Sequence, residues 1–207
     1  MAVISLVEVQ NLTCERGGRR IFRNLSFAVS GGQVLTLEGP NGVGKTSCLR
    51  ILAGFLPQAA GEVRVSMHAG YAVTDPEERG RLCGWVAYAD GVKGQLTVME
   101  NARYFAALYG ARIDVPSVLD RVGLTRLADL PGQYLSSGQR RRLGLARLIL
   151  SGRPLWLMDE PLSSLDTAGR KFTAELIGEH TDDGGIAIVA THETLGLDVQ
   201  RYFLGAA

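Results

Sequence analysis

The sequence predicts an α/β fold: a parallel-sheet core, an antiparallel β edge layer and an α-helical insertion. Three observations carry this. Apolar runs at Val34-Leu35-Thr36-Leu37, Leu155-Trp156-Leu157-Met158 and Ile186-Ala187-Ile188-Val189-Ala190 suit strands of a parallel sheet covered on both faces. The first thirty residues instead alternate in period two, over Val3 to Gln10 and Ile21 to Val29, around the turn-like Glu15-Arg16-Gly17-Gly18. From Thr97, between the first and second of the apolar runs, the periodicity becomes helical, and 207 residues suffice for one domain with a sizeable core.

Taken in order, the two alternating segments form the antiparallel layer and Val34–Leu37 the first buried strand. Ser47 to Leu52 reads as the start of a helix, ended by Gly54 and Pro57, and Gly61 to Ser66 as a short strand. Thr74 to Arg81 is charged and turn-rich, hence a surface loop, and Gly84 to Ala89 is a strand. A helix from Thr97 places Val98, Ala102, Phe105, Ala106 and Leu108 on one face. A second, from Pro116 to Val122, starts with proline at an early helical position. Ser136 to Ser151 is a longer helix with Leu143, Ala146, Ile149 and Leu150 on its apolar side, and Thr167 to His180 is a further one. No internal repeat or linker is visible. The expected organisation is one domain over 1–207, with a core from 1–89 and 154–207 and a helical subdomain over 90–153.

Composition narrows the function classes. Twenty-two basic against 21 acidic residues give a net charge of +1, so no global field draws nucleic acid or an acidic membrane. The 26 glycines are roughly twice ordinary usage. Cys14, Cys48 and Cys83 lack metal spacing and suggest a reducing compartment without a disulfide framework. There is no signal-peptide pattern, and no run reaches the ~20 apolar residues needed to cross a bilayer. A soluble, cytoplasmic protein is expected.

The chemistry sits at the strand ends. Gly39-Pro40-Asn41-Gly42-Val43-Gly44-Lys45-Thr46 fits G-x-x-x-x-G-K-[ST] between a strand and a helix. Its glycines let successive N–H groups turn toward a phosphate, the helix N-terminus adds partial positive charge, and Lys45 can bridge the outer phosphates. Thr46 offers a hydroxyl to Mg²⁺. This pattern predicts nucleoside triphosphate binding. Asp159 and Glu160 follow a buried strand, where ligands of parallel sheets bind. Asp159 would hold the Mg²⁺ directly or through water, and Glu160 would polarise the water that attacks the γ-phosphate. Ser136, Ser137, Gly138 and Gln139 open a helix and form a second anion site, which suggests service to a partner's nucleotide. His192, just past the last apolar strand, stands where it can reach the γ-phosphate; His68 and His180 receive no role. Arg140-Arg141-Arg142 reads as a solvated helix face rather than a nucleic-acid patch.

The set Gly39–Thr46, Leu135–Gln139, Leu155–Glu160, Ser163-Ser164-Leu165-Asp166 and His192 resembles the nucleotide-binding subunit of an ATP-binding cassette transporter, a P-loop NTPase of RecA-like fold. The motifs occur in the family's order across nearly the full chain. The resemblance implies an ATPase that forms a head-to-tail homodimer with ATP sandwiched between subunits. Gly39–Thr46 of one chain would face Ser136, Ser137, Gly138 and Gln139 of the other, with Asp166 near the seam. Three departures stand out. Ser137 replaces the family's usual glycine. Ala89 stands where a glutamine is expected, with Gln95 nearby but displaced. No aromatic residue in Cys14-Glu15-Arg16-Gly17 is available to stack on adenine. Arg16 sits about there instead, and a stacked guanidinium contributes only ~0.5–2 kcal/mol, so phosphate contacts would dominate affinity.

Within that family, Leu12-Thr13-Cys14-Glu15-Arg16, Gly84-Trp85-Val86, Gly91-Val92-Lys93 and Gly184-Gly185-Ile186 are similar to the ATP-binding subunits of cytochrome c maturation systems, described as haem exporters. The histidines are isolated and no Cys-Pro or Cys-x-x-Cys-His occurs, so haem is expected only through membrane partners. The resemblance implies a peripheral subunit on the cytoplasmic face of the inner membrane, pushing on integral membrane subunits through Gln95 to Tyr109. The alternatives are an ATPase for another transported substrate, a binding-only cassette, and a soluble cassette protein acting on ribosomes or DNA.

Overall fold

The structure is a computed structural model that describes residues 4–87 and 91–205. The expectations placed on Val3, Tyr88 and Ala89 lie outside the described residues. Five parallel strands, β3 (Val34–Glu38), β6 (Cys83–Val86), β7 (Leu155–Asp159), β8 (Ile186–Ala190) and β9 (Gln200–Phe203), form one sheet in the order β6-β7-β8-β3-β9. Four antiparallel strands, β1 (Ile4–Arg16), β2 (Arg19–Ser30), β4 (Ala60–Met67) and β5 (Ala72–Val73), form a second in the order β2-β1-β4-β5. The helices are α1 (Lys45–Leu52), α2 (Pro76–Leu82), α3 (Val98–Tyr109), α4 (Val115–Arg121), α5 (Ser137–Ser151) and α6 (Thr167–Asp182).

The continuous apolar runs are explained by two cores. Leu155 and Leu157 of β7, with Ile186 and Ile188 of β8, point toward α1 and the antiparallel sheet. Trp156 and Met158, with Ala187 and Val189, point the other way, toward α3, α4, α5 and α6. Because strand side chains alternate, a strand covered on both faces must be apolar at every position.

The antiparallel layer alternates as expected but slips three times between β1 and β2. Asn11 (φ 49) and Asn24 (φ 53) adopt left-handed backbone at register shifts between β1 and β2. Each extra residue resets the inward phase, so Val7 and Val9 face the core and, past the first bulge, so do Leu12 and Cys14.

Four expectations are corrected. Thr74–Arg81 is not a loop: Asp75 accepts from the N–H groups of Glu77 and Glu78 and starts α2, with Pro76 in its first turn. Arg79, fully buried, donates to Ile51 O (2.9 Å) and Leu52 O (3.1 Å), which satisfies the carbonyl end of α1. The strand expected to reach Ala89 ends at Val86. Leu108 is 61% exposed rather than sharing the buried face of α3. Strands β5 and β9 were not expected; β9 lies parallel to β3 at a sheet edge and is mostly exposed, so it shows no apolar alternation. Among the described residues no helix is long and apolar enough to cross a membrane.

Candidate nucleotide site

Strand β3 delivers the chain into the glycine-rich loop, and α1 carries it away. Gly39 has φ 140, and a Cβ there would lie 2.6 Å from Leu204 O. Gly44 has φ 113, and a Cβ there would meet Ile21 and Phe22 at 2.7 and 2.8 Å. Both positions therefore require glycine. Among the six described α-helices only α1 lacks a side-chain N-cap: Gly44 stands at that position with no capping hydrogen bond. Its first N–H groups are left to an anion. Lys45 is buried, and its ammonium donates to Gly39 O (2.7 Å) and Pro40 O (3.2 Å).

The carboxyl end of β7 supplies the two acid groups, and that of β8 leads to His192. Thr46 Oγ1 donates to Asp159 Oδ2 at 2.8 Å. Burial lifts the Asp159 carboxyl above its usual range; the Thr46 hydrogen bond opposes this and the Glu160 charge adds to it. Glu160 holds a left-handed backbone (φ 49), and its Oε1 is 3.1 Å from His192 Nδ1. Its Oε2 is buried with no hydrogen-bond partner among the described residues. Arg16, Asn41, Gly42, Gly44, Lys45, Thr46, Asp159 and Glu160 line one cavity of ≈480 Å³. Gly39, Pro40 and His192 line a neighbouring one of ≈430 Å³. Val43 is buried behind the loop.

These residues fit Mg²⁺ and a polyphosphate. A hydroxyl and a desolvated carboxylate offer hard oxygen donors in hydrogen-bond contact, beside an orphaned carboxylate oxygen and an uncapped helix N-terminus. A cation would relieve the burial penalty on Asp159.

The second predicted anion site lies apart. Ser136, Ser137, Gly138 and Gln139 share a separate cavity of ≈390 Å³ with Arg142 and Asp166. Ser136 Oγ accepts from Gln139 N–H (3.2 Å), and Gln139 Oε1 accepts from Ser136 N–H (2.9 Å), closing the α5 terminus with a capping box. Asp166 caps α6 by accepting from Gly169 N–H at 2.7 Å and lies 3.7 Å from Arg142. Within one chain this group does not meet Gly39–Thr46.

The arginine triplet is not a solvated face. Arg140 is exposed, but Arg141 is 3% exposed, donating to Ala87 O (2.8 Å) and Ser163 Oγ (2.9 Å). Nothing in a run of three arginines marks the middle one as buried; that follows from where α5 rests. His180, given no role, stacks on Trp156 (3.9 Å between ring centroids), and burial lowers its pKa to about 4. The three cysteines are buried free thiols, with Cys83 pushed up to about 12 by burial.

An uncapped phosphate helix, a glycine loop that tolerates no side chain at two positions, and an Asp-Glu pair at the carboxyl end of a parallel strand define a P-loop nucleotide-binding domain. The model of the ABC transporter family matches residues 22–163. The chain belongs to that family, as its ATP-hydrolysing type of subunit. It is 42% identical over 199 residues to the cytochrome c biogenesis ATP-binding export protein CcmA of Rhodopseudomonas palustris (strain BisB5), covering 96% of this chain and 97% of the relative. It is 44% identical over 189 residues to the protein of the same name from Cereibacter sphaeroides, covering 91% and 83%. An ABC transporter ATP-binding protein from Pyrococcus furiosus has the same fold, with TM-score 0.82 at 21% identity over 97% of this chain and 98% of that one.

Proposed function

We propose that this chain powers an export system for cytochrome c biogenesis by hydrolysing ATP as a head-to-tail homodimer beneath integral membrane subunits. The observation that carries the hydrolytic reading is the convergence of Lys45, Thr46, Asp159 and Glu160 on one cavity, with His192 on a carboxylate oxygen of Glu160. The biogenesis assignment is supported by relatives 41–44% identical over nearly the whole chain.

Lys45 leaves its two loop carbonyls for the outer phosphates, and the loop from Gly39 to Gly44, through Pro40, Asn41, Gly42 and Val43, cradles them with backbone N–H groups. Thr46 and Asp159 hold Mg²⁺, which when bound neutralises phosphate charge in the transition state. His192 fixes one oxygen of Glu160, so the unpartnered Oε2 is left to accept a proton from the attacking water. Arg16, at the rim, stacks on the base. Ser136, Ser137, Gly138 and Gln139 of the second copy complete the phosphate shell, with Asp166 at the seam. Their placement in a cavity apart from Gly39–Thr46 supports this division between copies.

The helical subdomain over 90–153 transmits closure to the membrane partners, with the core formed by 1–89 and 154–207. Exposed Tyr104 and Leu108 on α3 support contact through Gln95 to Tyr109. Haem stays with those partners: the cysteines are buried, as is His180. No nucleic-acid partner is expected, since Arg141 is buried and Arg142 is beside Asp166. The subunit works peripherally at the cytoplasmic face of the inner membrane.

The test uses tagged Glu160→Gln, which should bind ATP but not turn it over. Pulled from detergent-solubilised membranes with ATP, it should bring down small multi-span membrane proteins with cytochrome c maturation factors and haem absorbance. An unrelated permease would keep the transporter ATPase and remove the biogenesis assignment. Ribosomes or DNA proteins alone would overturn the transporter reading.

A further inference from the structure

Glu160 carries the reactive carboxylate on a left-handed backbone, φ 49, which a non-glycine residue keeps only when its surroundings hold it. Its N–H donates to Ala190 O of β8 at 2.8 Å. Its carbonyl accepts twice from Ser163, from the N–H at 3.2 Å and from Oγ at 2.9 Å. A serine hydroxyl that gives its one proton to Glu160 O still has lone pairs that can accept from another donor. Arg141 provides it: Nη2 donates to Ser163 Oγ at 2.9 Å, and Nη1 donates to Ala87 O at 2.8 Å just after β6. Arg141 is 3% exposed and belongs to α5, the helix whose N-terminus carries Ser136 and Ser137. It does not line the ≈480 Å³ cavity.

One side chain thus links α5, the segment leaving β6 and, through Ser163, the backbone of Glu160. We infer that Arg141 is a positioning residue for ATP hydrolysis, holding Glu160 in its left-handed turn and making that geometry depend on where α5 sits. This rests on Glu160 being the hydrolytic carboxylate. Displacement of α5 withdraws the guanidinium, frees the Ser163 hydroxyl and lets the Glu160 backbone relax. A bound nucleotide then remains while hydrolysis stops.

The test compares full-length wild type with Arg141→Met, Arg141→Lys and Ser163→Ala by equilibrium ATP binding, steady-state turnover and amide hydrogen exchange across residues 158–165. Arg141→Met should bind ATP within about two-fold of wild type, while kcat falls about ten-fold or more and exchange at the Glu160 amide speeds up. Lysine, keeping one donor, should recover part of the rate. The double variant Arg141→Met/Ser163→Ala should be no slower than the slower single, because both act through one hydrogen-bond chain. Unchanged exchange with wild-type kcat overturns the inference, as do equal losses of affinity and turnover or additive effects in the double variant. If Arg141→Met does not fold, Ser163→Ala decides alone: wild-type exchange and turnover there overturn it. Faster exchange in the variants of a chain whose wild type hydrolyses no ATP would leave the clamp standing and remove the proposed function.

Discussion

The N-terminus of α1 has no side-chain cap, whereas that of α5 is closed by the Ser136–Gln139 capping box. Both face cavities of similar size, ≈480 and ≈390 Å³, and both are read as phosphate sites. A cap contributes typically ~1 kcal/mol, so leaving α1 open costs stability that only an anion restores. The α1 end also has a buried ammonium, a threonine hydroxyl and a desolvated carboxylate. The α5 end instead has Arg142 and an aspartate already engaged in capping α6. The contrast teaches that one terminus is incomplete without ligand, while the other is complete alone and adds only a rim to a partner's nucleotide.

The largest expected effect breaks the α1 side. Lys45→Ala removes the buried cation placed to meet phosphate and should cost about 3 kcal/mol in the transition state, roughly a hundredfold in kcat/KM. Wild-type hydrolysis by that variant would show that the open terminus alone suffices. Asp159→Asn should uncouple stability from function. The folded carboxyl titrates above its ordinary 3.8, so its favourable contribution is full below that pH and lost as pH rises through the folded value. At neutral pH the free variant should therefore melt higher than wild type, yet gain less from Mg²⁺ with ATP and hydrolyse far more slowly. Equal melting temperatures and an equal Mg²⁺ effect would remove Asp159 from the cation site.

Smaller effects belong to α5. Ser136→Ala opens the capping box and should lower the nucleotide-free melting temperature by about 2–4 °C, for ~1 kcal/mol in a chain of this size. Calorimetry that finds no change would deny the two termini their difference. Ser137→Gly should be nearly silent for ATP binding by the isolated chain, since Ser137 does not line the α1 cavity. A large loss of affinity there would merge the sites that the fold separates.

Local patterns were legible. The glycine loop, the helix start at Ser136 and the Asp159–Glu160 pair are contiguous, and each is read from residues adjacent in the chain; the capping box that closes the Ser136 terminus was not read. What escaped depended on distant neighbours. Helix α2 was hidden because Arg79 looks like a surface charge until the carbonyls of Ile51 and Leu52 are found around it. Strand β9 escaped because an exposed edge strand needs only β3 to pair with, not an apolar pattern. Leu108 completed a helical stripe yet points outward, and Arg141 sat in a charged run yet is buried.

The sequence by itself determined the phosphate loop, the covered strand that carries the acids and the helix start at Ser136, because these follow from spacing and backbone chemistry within a few residues. Only the tertiary structure decided that Thr46 meets Asp159 across 113 positions, that His192 meets Glu160, and that Arg141 reaches Ser163. The physical reason is the strand order β6-β7-β8-β3-β9, which gathers the carboxyl ends of β7, β8 and β3 at one edge. No local propensity encodes that order; it follows from burying both faces of the sheet at once.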